Sequence, residues 1–350
     1  MMSLVSVHNE WDPLEEMIVG IPDNAQVPMA QKDLFALEYN EHYEDMAQIP
    51  SGPYHPQVIE ETQEDLEALV TALKQEGVRV RRPQVTDSSK VFSSPDWQSD
   101  GEYNYCPRDL LLPIGETIIE CPMPLRSRFF ETLAYKDLLL EYFKSGANWI
   151  SAPKPRLLDD IYDDDPHSEI KVRNLEPLFD AANVLRAGRD ILYLVSCTGT
   201  MMGYEWLQRV LGAEYRVHPL EGIYAGTHVD TTITLLRPGL VLLNPERINK
   251  ENMPEILKKW DVIWTPEMID TGHSIGWEYS RASLWSGMNF FMINPNLAVV
   301  HAAQKPLIKL LAQHKIESIP LKLRHTRTLS GGFHCVTLDI RRKGILEDYA

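Results

Sequence analysis

Near the end of the chain, RTLSGGFHCVTLDIRR runs from Arg327 to Arg342 and sets two glycines before Phe333, His334 and Cys335. A histidine and a cysteine side by side on a strand-like run invite two readings. Free cysteine is among the most buried residue types, so packing is the first. The second is a nucleophilic thiolate on a strand whose neighbours come very close. Other short segments place polar residues where strands should begin: Asp109 in CPRD, Asp180 and Asn183 in FDAAN, His228 and Asp230 in THVDTT, and Asn289 in GMN. Singly, each has a bland explanation. Asp109 and Asp180 read as turn residues satisfying local amides, His228 as a structural hydrogen-bonding residue, Cys335 as core, and Asn289 as a turn cap with no role assigned. The functional reading rests on recurrence at equivalent positions, which brings acids, a histidine and a cysteine to one pocket.

That set suits one chemistry best. A cysteine attacks as its thiolate, and a free thiol has a pKa of about 8.5. Neighbouring carboxylates raise that value, which is counterproductive unless the substrate is a cation. A guanidinium has planar donors matched to carboxylates. Bound among the acids, it balances their charge and favours a thiolate beside its central carbon. His228, oriented by a carboxylate, then protonates the leaving amine. The composition of the site points to cysteine attack on a guanidino carbon.

The elements that must position these residues recur along the chain. Five times an amphipathic segment is followed by a short strand ending at proline. The first helix spans roughly Pro56 to Glu76, with Gly77 as its C-terminal cap. The others lie in FFETLAYKDLLLEYFKSG, GYEWLQRVLG, MPEILKKW and KPLIKLLAQH. Between them stand four hairpin-like stretches, RDLLLPIGETIIE, ANVLRAGRDILYLV, VDTTITLLRPGLVLL and NFFMINPNLAVV. A fifth hairpin forms if LEEMIVG near the start pairs with CVTLDIRR near the end. The chain then reads as five β-β-α-β modules closed into a ring, which removes exposed sheet edges. An ordinary α/β sheet is the competing expectation. DDIYDDDPHSE, Asp159 to Glu169, reads as a surface loop.

Bulk properties narrow the field. The 350 residues carry 50 acidic and 34 basic side chains, a formal charge of −16, which argues against nucleic acid and is compatible with a cationic substrate. No apolar run approaches the ~20 residues of a membrane span. The N-terminus has neither a basic region nor a long apolar stretch, so no secretory leader is expected. Cys106, Cys121, Cys197 and Cys335 are scattered without a C-x-x-C pair, which predicts neither a zinc site nor a disulfide framework and fits a reducing cytoplasm.

At this level of detail the chain resembles a known family. NEWDPLEE, CPRD, APKP, FDAAN, HVDTT, NPER and the GGFHC–TLD–RR run are similar to segments of the L-arginine amidinotransferases of the pentein superfamily. The match runs from about Val5 to Gly344, so nearly the whole chain is covered. The resemblance implies a five-module β/α propeller formed by one domain over residues 1–350. It implies Cys335 as the nucleophile that takes the amidino group, His228 as general acid/base and Asp180 as its orienting partner. Asp109 and Asp230 would grip the guanidinium, Arg247 in NPER would hold the α-carboxylate of the donor, and Ser283 matches a further substrate contact. No cofactor and no metal are implied; the partners are L-arginine and a small amine, with no membrane or nucleic acid, in a homodimer.

Within the family, SLVSVHNEWDPLEE, FDAAN and THVDTT resemble the inosamine-phosphate amidinotransferases of aminocyclitol antibiotic pathways most. Glycine amidinotransferases carry an aspartate where Asn183 stands, and an asparagine–proline–methionine run where this chain has Ala225, Gly226 and Thr227. Smaller residues there would widen the acceptor side and favour an acceptor larger than glycine. Glycine, lysine or a toxin-pathway amine such as a saxitoxin precursor are alternative acceptors. An arginine deiminase-type hydrolase and a silent guanidinium-binding protein are the competing functions.

Overall fold

The computed structural model describes residues 3–272 and 280–349. Within them, five three-stranded sheets repeat one plan. Two strands form an antiparallel hairpin, and a third returns parallel to the second. Leu111–Ile114 and Thr117–Glu120 pair in this way with Asn148–Ser151; Val184–Ala187 and Asp190–Leu194 pair with Arg216–Leu220. Ile233–Arg237 and Leu240–Leu243 take Asp261–Trp264, and Phe291–Asn294 and Leu297–His301 take Glu317–Leu321. The two ends of the chain supply the remaining hairpin: Leu14–Val19 runs antiparallel to Thr337–Arg342, with Val19 opposite Thr337, and Arg79–Arg81 lies parallel on its other side. The parallel return requires a crossover, because a tight turn joins only antiparallel strands.

Helices make most of these crossovers. Pro56–Gln75 begins at a proline, whose missing N–H is one of the unpaired donors of a first turn, and His55 Nδ1 accepts from the Gln57 N–H. Its buried stripe is Val58, Leu66, Leu69, Val70 and Leu73, and Gly77 follows in the left-handed region at φ +81°. Lys136–Ser145, Met201–Leu211 and Lys305–Gln313 follow the same logic. Two expectations are corrected. FFETLAY winds as a 3₁₀ turn over Glu131–Tyr135 before the α-helix begins at Lys136. MPEILKKW forms no α-helix: a 3₁₀ turn covers Glu255–Lys259, and the next strand starts at Asp261.

This repetition gathers the polar segments noted in the sequence. Asp109 lies in the turn Pro107–Leu110 just before Leu111, and Asp180 caps the turn before Val184. His228 and Asp230 precede Ile233, Asn289 precedes Phe291, and Cys335 precedes Thr337. Each enters the first strand of a different hairpin. No helix among the described residues is long and apolar enough to cross a membrane.

Candidate active site

Cys335 sits on a tight turn in which the Val336 N–H bonds back to the Gly332 carbonyl at 3.0 Å. One asparagine fixes it. Asn289 Oδ1 accepts from the backbone N–H groups of His334 and Cys335 at 2.9 and 3.1 Å, and Asn289 Nδ2 donates to Cys335 Sγ at 3.0 Å. The two preceding glycines make the approach possible. A Cβ on Gly331 would lie 2.6 Å from Cys106 Sγ and 3.3 Å from the Cβ of Cys335, and one on Gly332 would lie 2.7 Å from the Asn289 Cβ. The backbone here is as crowded as a reactive strand needs, and only glycine fits.

The acids surround this thiol. Cys335 Sγ donates to Asp230 Oδ2 at 3.4 Å, and His334 Nδ1 donates to the same oxygen at 2.8 Å. His228 Nε2 donates to Asp180 Oδ2 at 2.9 Å, and its Nδ1 lies 3.7 Å from Asp109 Oδ1. Asp109 is itself held by Arg128 Nη1 at 2.7 Å, and Arg128 is gripped by Glu131 at 2.6 and 3.1 Å. One oxygen each of Asp109, Asp180 and Asp230 is buried and accepts no hydrogen bond among the described residues. Three uncommitted carboxylate oxygens around Cys335 and His228 ask for a donor-rich cation.

Charge follows geometry. Burial pushes the Cys335 thiol well above its ordinary value, and the charges of Asp230 and Asp109 push it further. Burial alone would lower His228, but Asp109, the Asp180 hydrogen bond and the Asp180 charge outweigh it and lift the imidazole to about 9. Without substrate, the pair therefore rests as thiol and imidazolium at neutral pH. Asp109, His228 and Cys335 each bring a ligand atom within 4.8 Å of the others, a spacing open to a divalent cation as well as to a guanidinium carbon.

Cys335, His228 and Asp230 open onto a cavity of about 520 Å³. Ser283 is on its wall, as are Tyr224 to Thr227. Asp109, Asp180 and Arg247 do not line it. Arg247 donates through Nη1 to the Thr231 carbonyl and to the Thr231 and Thr232 hydroxyls, at 3.0, 2.7 and 2.9 Å. Its guanidinium stacks 3.5 Å from the centre of the Tyr224 ring, and it is this ring that meets the cavity. The polar loop after Asp159 is more than surface: Pro166 to Glu169 and Lys171 form part of the cavity wall.

No family model matches the chain. It is 54% identical over 348 residues to inosamine-phosphate amidinotransferase 1 of Streptomyces glaucescens, covering 99% of both chains. The solved inosamine-phosphate amidinotransferase of Streptomyces griseus superposes with a TM-score of 0.98 at 55% identity, again over 99% of both chains. The chain belongs to the amidinotransferase family. An amidinotransferase of the saxitoxin biosynthetic pathway from Microseira wollei is similar at 38% identity and a TM-score of 0.90, over 99% of this chain and all of that one. The protein is thus an enzyme of mixed α/β pentein fold that transfers amidino groups.

Sequence reasoning left three side chains of this enzyme without a place. Asn289, read as a turn cap, is the residue that fixes the cysteine. Arg128 was passed over, because an arginine in RSRFF carries no mark of the aspartate it grips. Asn183 is fully buried behind the part of the cavity wall formed by Ala225 to Thr227. Its Nδ2 donates to the Leu194 carbonyl and the Ser196 hydroxyl, and its Oδ1 accepts from Thr198 Oγ1, all at 3.0 Å. Ser196 Oγ in turn donates to the Thr227 carbonyl at 2.8 Å, and the Cys197 N–H to the Ala225 carbonyl at 3.0 Å. Asn183 thereby anchors the turn that carries Ala225, Gly226 and Thr227.

Proposed function

We propose that the enzyme moves the amidino group of L-arginine to the amine of an inosamine phosphate through an amidino-cysteine on Cys335. The observation that carries the mechanism is the set of uncommitted oxygens of Asp109, Asp180 and Asp230 around Cys335 and His228, of which Asp230 opens onto the cavity. The arginine guanidinium lies between Asp109 and Asp230, its charge offsets theirs, and the thiol proton leaves. Sγ attacks the guanidino carbon. The bond from that carbon to the ornithine nitrogen breaks as His228, held by Asp180, gives that nitrogen a proton. The acceptor amine then attacks the amidino carbon, the C–S bond breaks, and His228 takes a proton from the incoming nitrogen. Arg247 holds the donor α-carboxylate once Tyr224 moves off its guanidinium, and Ser283 contacts substrate from the wall.

The acceptor follows from the kinship with inosamine-phosphate amidinotransferases and from the small Ala225 and Gly226 on the cavity wall. The five sheets and the pairing of the chain ends support a single domain over residues 1–350, its modules arranged as a five-bladed ring. Four free thiols support a reducing, cytoplasmic setting. Exposed Leu133, Leu140 and Phe143 support a homodimer. The test of function is to supply arginine labelled in its guanidino carbon with a panel of amines, including glycine, lysine and scyllo-inosamine phosphate. The label should appear on the inosamine phosphate with release of ornithine. Preferential labelling of glycine would overturn the acceptor, and citrulline as the main product would overturn transfer.

A further inference from the structure

The cavity wall carries a second group of residues, opposite in charge to the acids around Cys335. Lys171 is 8% exposed and lies on the wall, yet its ammonium touches only neutral oxygens. Nζ donates to Asn40 Oδ1 at 3.3 Å and to the carbonyls of Asp165 and Pro166 at 3.3 and 3.4 Å. Lys171 takes part in none of the ion pairs found among the described residues. Burying an ammonium without a counter-charge is unfavourable, and long bonds to neutral oxygens offset only part of the cost. Beside it Asn40, 7% exposed and also on the wall, has an amide Nδ2 with no acceptor among the described residues. A cation and a free amide donor therefore sit together on the wall of the cavity that also holds Asp230 and Cys335. His167 and Ser168 line the same cavity. Of the acids on this part of the wall, Glu38 is neutralised by Arg281, and Glu41 and Glu169 are exposed, where solvent and salt weaken their charge.

We propose that Lys171 and Asn40 form a phosphate-monoester subsite that seats the anionic end of the acceptor while its amine faces Cys335. The proposal rests on the reading of the acceptor as an aminocyclitol phosphate. The phosphate supplies the anion that Lys171 lacks and the acceptor atom that Asn40 Nδ2 lacks. Binding at both ends also fixes which amine of a cyclitol reaches the amidino carbon, because the distance between the two anchors is set by the cavity.

Kinetics with scyllo-inosamine phosphate and with unphosphorylated scyllo-inosamine test it. Asn40→Asp is the decisive variant: it keeps the oxygen that Lys171 bonds, so the loop stays tied, but it replaces the amide donor by a charge that repels phosphate. Lys171→Met is its companion, and amidino-enzyme formation from arginine reports whether each variant has folded. We expect the wild-type enzyme to prefer the phosphorylated amine. Each variant should lose about 30-fold or more of kcat/KM for that amine, and most of the preference with it. If the wild-type enzyme were indifferent to the phosphate, the acceptor reading and the subsite would both fall. If it were selective and folded variants stayed equally selective, the subsite alone would fall.

Discussion

At the scale of single residues, the site turns on how many protons two side chains share. In the proposed mechanism the reacting pair is a thiolate and an imidazolium, which together hold one proton on His228. The free pair holds two at neutral pH, because His228 titrates near 9 and Cys335 higher still. Arginine must expel one proton as it binds. For arginine, kcat/KM should therefore rise about tenfold per pH unit below 9 and level off near 9. Asp180→Asn keeps a partner for Nε2 but removes a charge that raises the imidazole, so the break should move to lower pH. A profile flat from pH 6 to 9, or an unmoved break in the variant, would contradict this. The cysteine, the histidine and the acids were legible in the sequence because their types are rare at strand starts and recur there. Arg128 and Lys171 were not, because a basic residue shows its meaning only through partners that the fold brings from elsewhere, Asp109 and Asn40.

At the scale of elements, the strand that follows Cys335 is held by charge as much as by its ladder. Asp339, fully buried in Thr337–Arg342, receives Arg108 at 2.6 Å, Arg342 at 2.8 Å and Arg186 at 3.1 Å. Burial would push its carboxyl up, but the Arg108, Arg342 and Arg186 guanidinium groups hold it well below the usual carboxylate range. These arginines come from the turn that carries Asp109, from the strand Val184–Ala187 that follows Asp180, and from the last strand itself. One carboxylate thus ties together three of the segments that build the site. Asp339→Ala leaves three buried cations around a gap, and urea unfolding should show a loss of about 3–5 kcal/mol. A loss below about 1 kcal/mol, the range of surface pairs, would show the network to be dispensable. The hairpins that carry this arrangement were legible, because two apolar runs around a glycine or proline turn repeat four times. MPEILKKW was not legible as a 3₁₀ turn, because an i, i+3 apolar spacing over so few residues fits a 3₁₀ turn and an α turn alike.

At the scale of the molecule, the pairing of the two chain ends was legible only by counting: five crossover segments with four internal hairpins left one to be made from Leu14–Val19 and Thr337–Arg342. The net charge acts at this scale too. A body carrying −16 attracts arginine through solvent, and salt screens that attraction. Raising ionic strength from about 10 mM to about 300 mM should lower kcat/KM for arginine by about two- to tenfold; an unchanged value would confine the electrostatics to the cavity. The most direct test of the whole account is to weigh the intact protein after arginine is added without an acceptor. The account predicts a gain of one amidino group, located on Cys335 by peptide mapping, with one equivalent of ornithine released and the mass restored when the acceptor amine is supplied. An adduct on Cys106, Cys121 or Cys197, or turnover with no covalent adduct at any time, would contradict it.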